Sequence, residues 1–407
     1  MADTTFSFEY CPATIHHGSG VIGELGTELE RAGCERALIV TDETLAGVSE
    51  VMDPIEEGLG ERLVDVCDTV TPEKYLKSAY EGAELVLEQD IDALIPVGGG
   101  SSLDIAKLIS ILLGHQTPLE TVAADFVQQE AVQTPPSEET LIDTFAIPTT
   151  LPGADISQVA GVKLSLDPAG KSKDEIPHGG VSDSRLMPTA VFHDIELFET
   201  TPDPILARSA MNGFDKGIEM LYTRHHNPIT DGIAIRGVRL LHESLPSIMA
   251  EETTEADLSR ILQGIAAAQY GLSTPRHYRA SVIHSFGHAI SRNYQVQQGV
   301  AHAIAAPHVL RYLFDQVDGR RAILAEAFGI FDPNASPDQL AERIVEAVTE
   351  TRDALELPSQ LRTVEGTSRD HFPRLARAVI EDDFMDVGPR ELDAKQTDIE
   401  DVFEAMW

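Results

Sequence analysis

Three stretches of this chain carry residue types whose spacing could do chemistry. The first, Asp92–Lys107, reads DALIPVGGGSSLDIAK. Asp92 to Val97 is an apolar run of buried-strand length. Gly98, Gly99, Gly100, Ser101 and Ser102 follow, and Leu103 to Leu113 has the apolar spacing of a helix. Strand, glycine turn and helix together present backbone N–H groups and the positive end of a helix dipole to an anion. Glycines let the backbone approach without side chains in the way, and the serines add hydroxyl donors. A tight turn with no ligand uses the same glycines, so this pattern alone leaves phosphate binding and plain chain reversal open.

The second stretch, Asn212–Glu219, places Asp215 and Glu219 at i and i+4 on one helix face. Like charges at that spacing repel unless something positive lies between them. A solvated helix face is the ordinary home of such a pair, but apolar Phe214, Ile218, Met220 and Leu221 crowd the segment. The third stretch, Ser281–His288, puts His284 and His288 at i and i+4, a ligand-competent spacing. A buried histidine that only packs in the core is the plain alternative.

These residues need a scaffold. Phe6 to Ile15 reads as a strand or hairpin closed by His17-Gly18-Ser19-Gly20, and Val21 to Ala32 as a helix. Ala37 to Val40 is a short strand with Thr41-Asp42 at its carboxyl end; Leu45 to Leu59 is helical, Leu63 to Cys67 a strand and Lys74 to Glu88 a helix. A polar, proline-rich loop around Pro135-Pro136-Ser137 interrupts the pattern. Phe145-Ala-Ile-Pro-Thr-Thr150 follows, then strands at Val159–Leu164 and Thr189–Phe192 with a polar loop, Asp167–His178, between them. The alternation predicts a parallel sheet with crossover helices, whose ligands lie at the carboxyl ends of the strands. Asp42 sits at such an end. It can accept hydrogen bonds from ribose hydroxyls and repel a 2′-phosphate, and it can equally cap a helix beginning at Glu43. From Pro202 onward only helical periods recur. The sequence therefore divides into an α/β domain over residues 1–193 and an all-helical domain over 194–407.

Composition narrows the function. The 67 acidic against 30 basic residues give a net charge of −37, which disfavours nucleic acid as a partner because phosphates would be repelled over most of the surface. The acids are spread among periodic apolar positions along the whole chain, so a disordered acidic tail does not explain them. A cytosol with molar salt does, since there the Debye length shrinks to roughly 3 Å and dense surface charge stops repelling itself. The 3 cysteines, Cys11, Cys34 and Cys67, are odd in number and widely spaced, against a disulfide framework or a cysteine zinc site. No apolar run approaches a membrane span, and the N-terminus lacks the basic and apolar regions of a signal peptide; a cytoplasmic protein is expected.

GGGSSLDIAK resembles the GGGSxxDxAK signature of the iron-containing (group III) alcohol dehydrogenase family, of the dehydroquinate synthase-like superfamily. The resemblance covers nearly the whole chain and implies a Rossmann-like α/β domain followed by a helical one. It implies that Gly98–Ser102 hold the pyrophosphate of a nicotinamide cofactor, and it adds Asp104 and Lys107, the D and K of the signature. Phe145–Thr150 is similar to the family's IPTT segment, whose threonines, here Thr149 and Thr150, contact the cofactor near its ribose and nicotinamide. Beyond them, Leu151–Ser157 departs from the family's AGTGSE.

In the helical half, Asp215 matches a family metal ligand, whereas Glu219 stands where a histidine ligand is usual. His284 matches a further ligand and His288 a histidine beside substrate and nicotinamide. In Tyr294–His308, Gln298 replaces the last histidine ligand, and His302 follows one helical turn later as a neighbour of the site or a substitute ligand. The resemblance thus implies an NAD(H)-dependent oxidoreductase interconverting a small alcohol and its aldehyde or ketone, as a homodimer. Fe(II), Zn(II) or Mn(II) would be held by Asp215, Glu219, His284 and Gln298, and His288 would relay the proton, with His302 sharing the polarising work where no metal binds. Three alternatives remain open: a metal-independent enzyme like the maleylacetate reductases, a non-redox lyase or cyclase like dehydroquinate synthase, and a cofactor-binding protein that has lost its chemistry.

Overall fold

The computed structural model describes residues 6–10, 12–171, 175–251 and 253–407. The chain divides into two compact units, Tyr10–Thr150 with Ala154–Thr201, and Met1–Glu9 with Leu151–Gly153 and Pro202–Trp407. The division at 201/202 falls later than the expected 193/194. Asp194 explains the shift: its buried carboxylate accepts hydrogen bonds from the N–H groups of Gly20 (3.1 Å), Ile22 (2.8 Å) and Glu196 (3.1 Å), which ties residues after the last strand to the α/β unit.

The α/β unit is built from strands β1 (Thr14–Gly18), β2 (Ala37–Val40), β3 (Leu63–Cys67), β4 (Ala93–Gly98), β5 (Asp143–Pro148), β6 (Val159–Lys163), β7 (His178–Ser182) and β8 (Ala190–Asp194). Its helices are α1 (Leu25–Ala32), α2 (Glu43–Ala46), α3 (Ser49–Leu59), α4 (Leu76–Glu88), α5 (Gly100–Leu113), α6 (Leu119–Gln129) and α7 (Ile195–Glu199). One parallel six-stranded sheet has the order β1-β8-β5-β4-β2-β3, and β6 and β7 form a separate antiparallel hairpin. Strands β2 and β4 are buried along their whole length, as strands covered on both sheet faces must be. Their side chains alternate between two cores. Leu38, Val40 and Leu94 pack with residues of α4 and α5; Ala37, Ile39, Ala93, Ile95 and Val97 pack with residues of α1 and α3.

The strand order reverses between β2 and β4, the place where open α/β sheets bind ligands. There the carboxyl ends of β2, β4 and β5 lie side by side and bring together Thr41-Asp42, the glycine turn and Thr149-Thr150. Two hydrogen bonds stitch these ends, Thr41 Oγ1 to the Val97 carbonyl (3.0 Å) and the Thr149 N–H to the Gly98 carbonyl (3.0 Å).

Several local expectations are corrected. The N-terminal strand is β1, paired in parallel with β8, so it is no hairpin and it runs through His17 and Gly18. The helix expected over Leu45–Leu59 is two, broken at Gly47-Val48. Helix α6 follows Pro118, where periodicity had weakened. Cys34 and Cys67 are free thiols; Cys11 and part of the expected polar loop (172–174) lie outside the described residues.

The second unit contains α8 (Asp203–Tyr222), α9 (Pro228–Ser244), α10 (Glu255–Gln269), α11 (Val282–Asn293), α12 (Gln298–Gln316), α13 (Arg321–Phe328), α14 (Pro337–Ala354), α15 (Phe372–Ile380) and α16 (Gln396–Met406). It is not wholly helical: Ser273–Thr274 and His277–Tyr278 form a short antiparallel pair, β9 and β10, too brief for periodicity to reveal. Helix α8 packs against α9, α10, α11 and α12, and every residue from Ala210 to Tyr222 is buried. Among the described residues no helix is long and apolar enough to cross a membrane.

Candidate cofactor and active site

Helix α5 begins at Gly100, and its N-cap, Gly99, has no side chain with which to satisfy the first amides. Gly99, Gly100 and Ser101 are half-buried, so those amides open onto an accessible edge of the unit. Gly98 has φ +123°, a conformation L side chains rarely adopt, and a Cβ there would lie 3.0 Å from Leu45 Cδ2. Ser101 Oγ lies 3.5 Å from the Pro72 carbonyl, whereas Ser102 is buried beneath Gly98. Asp42 caps α2: its Oδ1 accepts from the N–H groups of Thr44 (3.0 Å) and Leu45 (3.1 Å). Of the threonine pair, Thr149 is buried, and its carbonyl accepts from Thr201 Oγ1 (2.9 Å); Thr150 is half-buried beside Gly99.

Asp104 and Lys107 have other employment. Asp104 Oδ2 accepts from Lys74 Nζ (2.8 Å) and the Gly161 N–H (3.2 Å). Lys107 Nζ donates to the carbonyls of Ala154 (2.8 Å) and Val159 (3.3 Å), and burial pulls its ammonium down to about 8 despite nearby Asp104 and Asp155. Both lie one to two turns inside α5, and they anchor the loop and hairpin that pack on it.

In the helical unit, Glu219 is wholly buried at the N-terminus of α11, where Ser281 supplies no side-chain cap. Its Oε1 accepts from the His284 N–H (3.0 Å) and from Tyr222 OH (3.2 Å), and its Oε2 pairs with His284 Nδ1. Burial pushes this carboxyl up to about 7, against the pull of the Ser281 and His284 N–H groups. Both Glu219 oxygens are thus occupied, and its role here is to cap a helix and orient an imidazole. His284 Nε2 then faces Asn212 Oδ1 at 3.1 Å.

Asp215 and His302 have no accessible surface, and His302 Nδ1 is 3.3 Å from Asp215 Oδ2. Yet both oxygens of Asp215 and both ring nitrogens of His302 lack a hydrogen-bond partner among the described residues. Burial, helped by the Glu219 charge, raises the Asp215 carboxyl well above the usual range, and burial holds His284 and His302 neutral. Gln298 opens α12 and is half-buried. Among the described residues no three His, Cys, Asp or Glu side chains stand as a ready-made metal cage, so the expected set of Asp215, Glu219, His284 and Gln298 is not assembled as one.

His288 is different. It is half-buried, and its Nδ1 lies 2.9 Å from Asp382 Oδ2. Asp382 is held in turn by Arg292 Nη1 (3.0 Å) and the Phe384 N–H (3.1 Å), while the Phe384 ring packs on His288 at 4.9 Å between centroids. Burial lowers the His288 imidazole below its usual value, and the Asp382 bond opposes that shift. A carboxylate on one ring nitrogen leaves the other, Nε2, to exchange a proton. Asp382, Asn212 and Tyr222 are thus members of the site that the sequence reading missed. Only Asn212 left a signal there, three residues before Asp215 on the same helix face.

Comparison with known proteins fits this arrangement. The description iron-containing alcohol dehydrogenase matches residues 12–195, and the C-terminal description of the Fe-containing alcohol dehydrogenase family matches residues 206–407. The chain is 27% identical over 388 residues to the NAD-dependent methanol dehydrogenase of Bacillus methanolicus, covering 93% of this chain and 94% of that one. It is 27% identical over 401 residues to lactaldehyde reductase of Escherichia coli (strain K12), covering 97% and 98%. The solved structure of a 1,3-propanediol oxidoreductase has the same fold, with a TM-score of 0.86, 22% identity and coverage of 99% and 100%. Matched through both halves, the chain belongs to the iron-containing alcohol dehydrogenase family.

Proposed function

We propose that this alcohol dehydrogenase uses NAD(H) to interconvert a small alcohol and its aldehyde or ketone, with assistance from a divalent metal. The observation that carries the reading is the open, glycine-capped start of α5 at the reversal point of the sheet, flanked by Asp42 and Thr150. The first amides of α5 hold a diphosphate there. Asp42 spends Oδ1 on its own helix and has Oδ2 for ribose hydroxyls, which disfavours a 2′-phosphate.

In the helical unit Asp215 and His284 are the groups that would hold a metal. Asp215 has two buried oxygens without partners, and His284, held at Nδ1 by Glu219, has Nε2 to give. A carboxylate and an imidazole suit Fe(II), Mn(II) or Zn(II). When bound, the metal polarises the substrate oxygen and the dinucleotide accepts or delivers the hydride. Asp382 keeps His288 oriented through Nδ1, and His288 Nε2 gives or takes the proton of that oxygen.

The test is the dihydronicotinamide absorbance of NADH with a panel of small aldehydes. Oxidation of NADH in step with aldehyde loss is expected. Substrate loss with no net change in NADH would identify a lyase or cyclase, and NADH binding without either would identify a protein without redox chemistry. A cytoplasmic, salt-adapted homodimer accompanies this reading. The acidic excess supports the salt adaptation, and melting that is unchanged between molar and low salt would refute it. Light scattering at twice the chain mass tests the dimer.

A further inference from the structure

The segment between β3 and α4 borders the cofactor turn. Thr69 bridges to Asp42, the Val70 N–H donates to the Thr41 carbonyl (3.2 Å), and Ser101 Oγ lies 3.5 Å from the Pro72 carbonyl. Lys74 ends it, and its carbonyl accepts from the Lys163 N–H of β6 (2.9 Å). Residues 69–74 therefore run from Asp42, past the first turn of α5, to the β6–β7 hairpin, all within the α/β unit. A dinucleotide whose ribose reaches Asp42 and whose diphosphate rests on α5 lies along this edge.

Lys74 has φ +57°, a left-handed conformation that crowds a side chain and that glycine adopts freely. A side chain kept there at that cost points to a use for it. Lys74 Nζ donates to Asp104 Oδ2 at 2.8 Å, but its side chain is 32% exposed, and an ion pair that open to solvent adds little stability. One donor of the ammonium is committed to Asp104, and the others have no partner among the described residues. Asp104 follows Gly100 by four residues, on the same face of α5 and one turn, about 5.4 Å, further along. The ammonium is therefore placed about one helical turn from the open amides. The other charges there are unfavourable to an anion: Asp42, Glu73 and Asp104 border the turn, in a chain of net charge −37. Lys107 does not oppose them at the surface, because it is buried and donates to the Ala154 and Val159 carbonyls.

We propose that Lys74 is a cofactor-binding residue: its ammonium, steadied by Asp104, meets the diphosphate that the first amides of α5 hold and keeps it against the turn. Amides and ammonium then grip the same anion from two elements, the helix and the segment that borders it. Asp104 aims the lysine rather than touching the cofactor, since a carboxylate beside a diphosphate would repel it. The proposal rests on the cofactor reading above, and its test separates the two.

Full-length wild type, Lys74→Gln and Lys74→Arg are titrated with NADH by fluorescence, and with ADP and adenosine by calorimetry. ADP carries the diphosphate and adenosine does not. Lys74→Gln weakens NADH and ADP about tenfold, the scale of one hydrogen bond to a charged group, and leaves adenosine unchanged. Lys74→Arg keeps the charge and stays within a few-fold of wild type. Added salt narrows the gap between wild type and Lys74→Gln, as a charge contact requires. Should the glutamine variant not fold, by circular dichroism, Lys74→Asn repeats the neutral change with a residue that tolerates the left-handed conformation. NADH and ADP bound by the neutral variant as tightly as by wild type would overturn the proposal and leave the cofactor reading intact. An equal loss for adenosine would overturn it too, by reducing Lys74 to a structural part. Failure of wild type to bind NADH would overturn both.

Discussion

Two buried polar clusters, one in each unit, differ in how completely their members are paired. In the α/β unit His193 Nε2 and Asp155 Oδ2 lie 2.6 Å apart, Lys107 donates to two carbonyls, and Asp104 takes Lys74 and a backbone N–H; one ring nitrogen of His193 is left over. In the helical unit Asp215 and His302 contribute four polar atoms with no partner among the described residues. The first cluster pairs every charged group within the chain, leaving over one ring nitrogen of His193, and holds a loop and a hairpin on the sheet. The second leaves both oxygens of its carboxylate and both nitrogens of an imidazole unpaired within the described residues. Burial alone does not mark a functional site; a buried carboxylate and imidazole left unpaired side by side are where a ligand is to be sought.

Mutations should separate the clusters sharply. His193→Ala strands the Asp155 carboxylate in the α/β interior, which depends on His193 to stay below its usual range against burial. The expected loss is about 3–5 kcal/mol, read by urea denaturation. Asp215→Asn, made in chelator-stripped protein, removes an unpaired carboxyl and should leave stability unchanged or raised. Equal losses from both changes would erase the contrast.

A smaller effect is expected at the glycine turn. Gly99 has φ −82°, open to any residue, so Gly99→Asp should gain about a few tenths of a kcal/mol as a helix N-cap. The same carboxylate repels a diphosphate, and NADH should bind about tenfold more weakly or worse, a change of about 1.4 kcal/mol, seen by fluorescence titration. Tighter NADH binding would remove the diphosphate from this turn.

Smallest is the shift from Asp382→Asn. The carboxylate favours the imidazolium form of His288, so its loss lowers the His288 pKa further. Alcohol oxidation, which needs the neutral ring, should keep its rate to lower pH. Aldehyde reduction, which needs the charged ring, should begin to fall at lower pH. Unmoved pH profiles would detach Asp382 from the chemistry.

Much of the cofactor side was legible in the sequence, because strand, glycine turn and helix are neighbours in the chain. That Asp42, Gly98 and Thr150 converge was not, since it depends on β2, β4 and β5 being adjacent in the sheet. The signature residues Asp104 and Lys107 read as cofactor groups, yet their position along α5 turns them toward the protein's own hairpin and loop. In the helical half the residue types were readable and their partners were not. Glu219 looked like one of two repelling ligands because the helix end that neutralises it begins more than 60 residues later. Asp382 is 94 residues from His288, in an acidic run like many others in this chain.

The most direct test of the contrast between the clusters is calorimetric melting of chelator-stripped protein with and without Zn(II). At about 100 times the dissociation constant, an ion bound only to the folded state adds about 2.7 kcal/mol. Wild type should melt higher with Zn(II), and Asp215→Asn should not respond. A wild type indifferent to the ion, or an equal rise in both proteins, would contradict the claim that the unpaired groups of the helical unit await a metal.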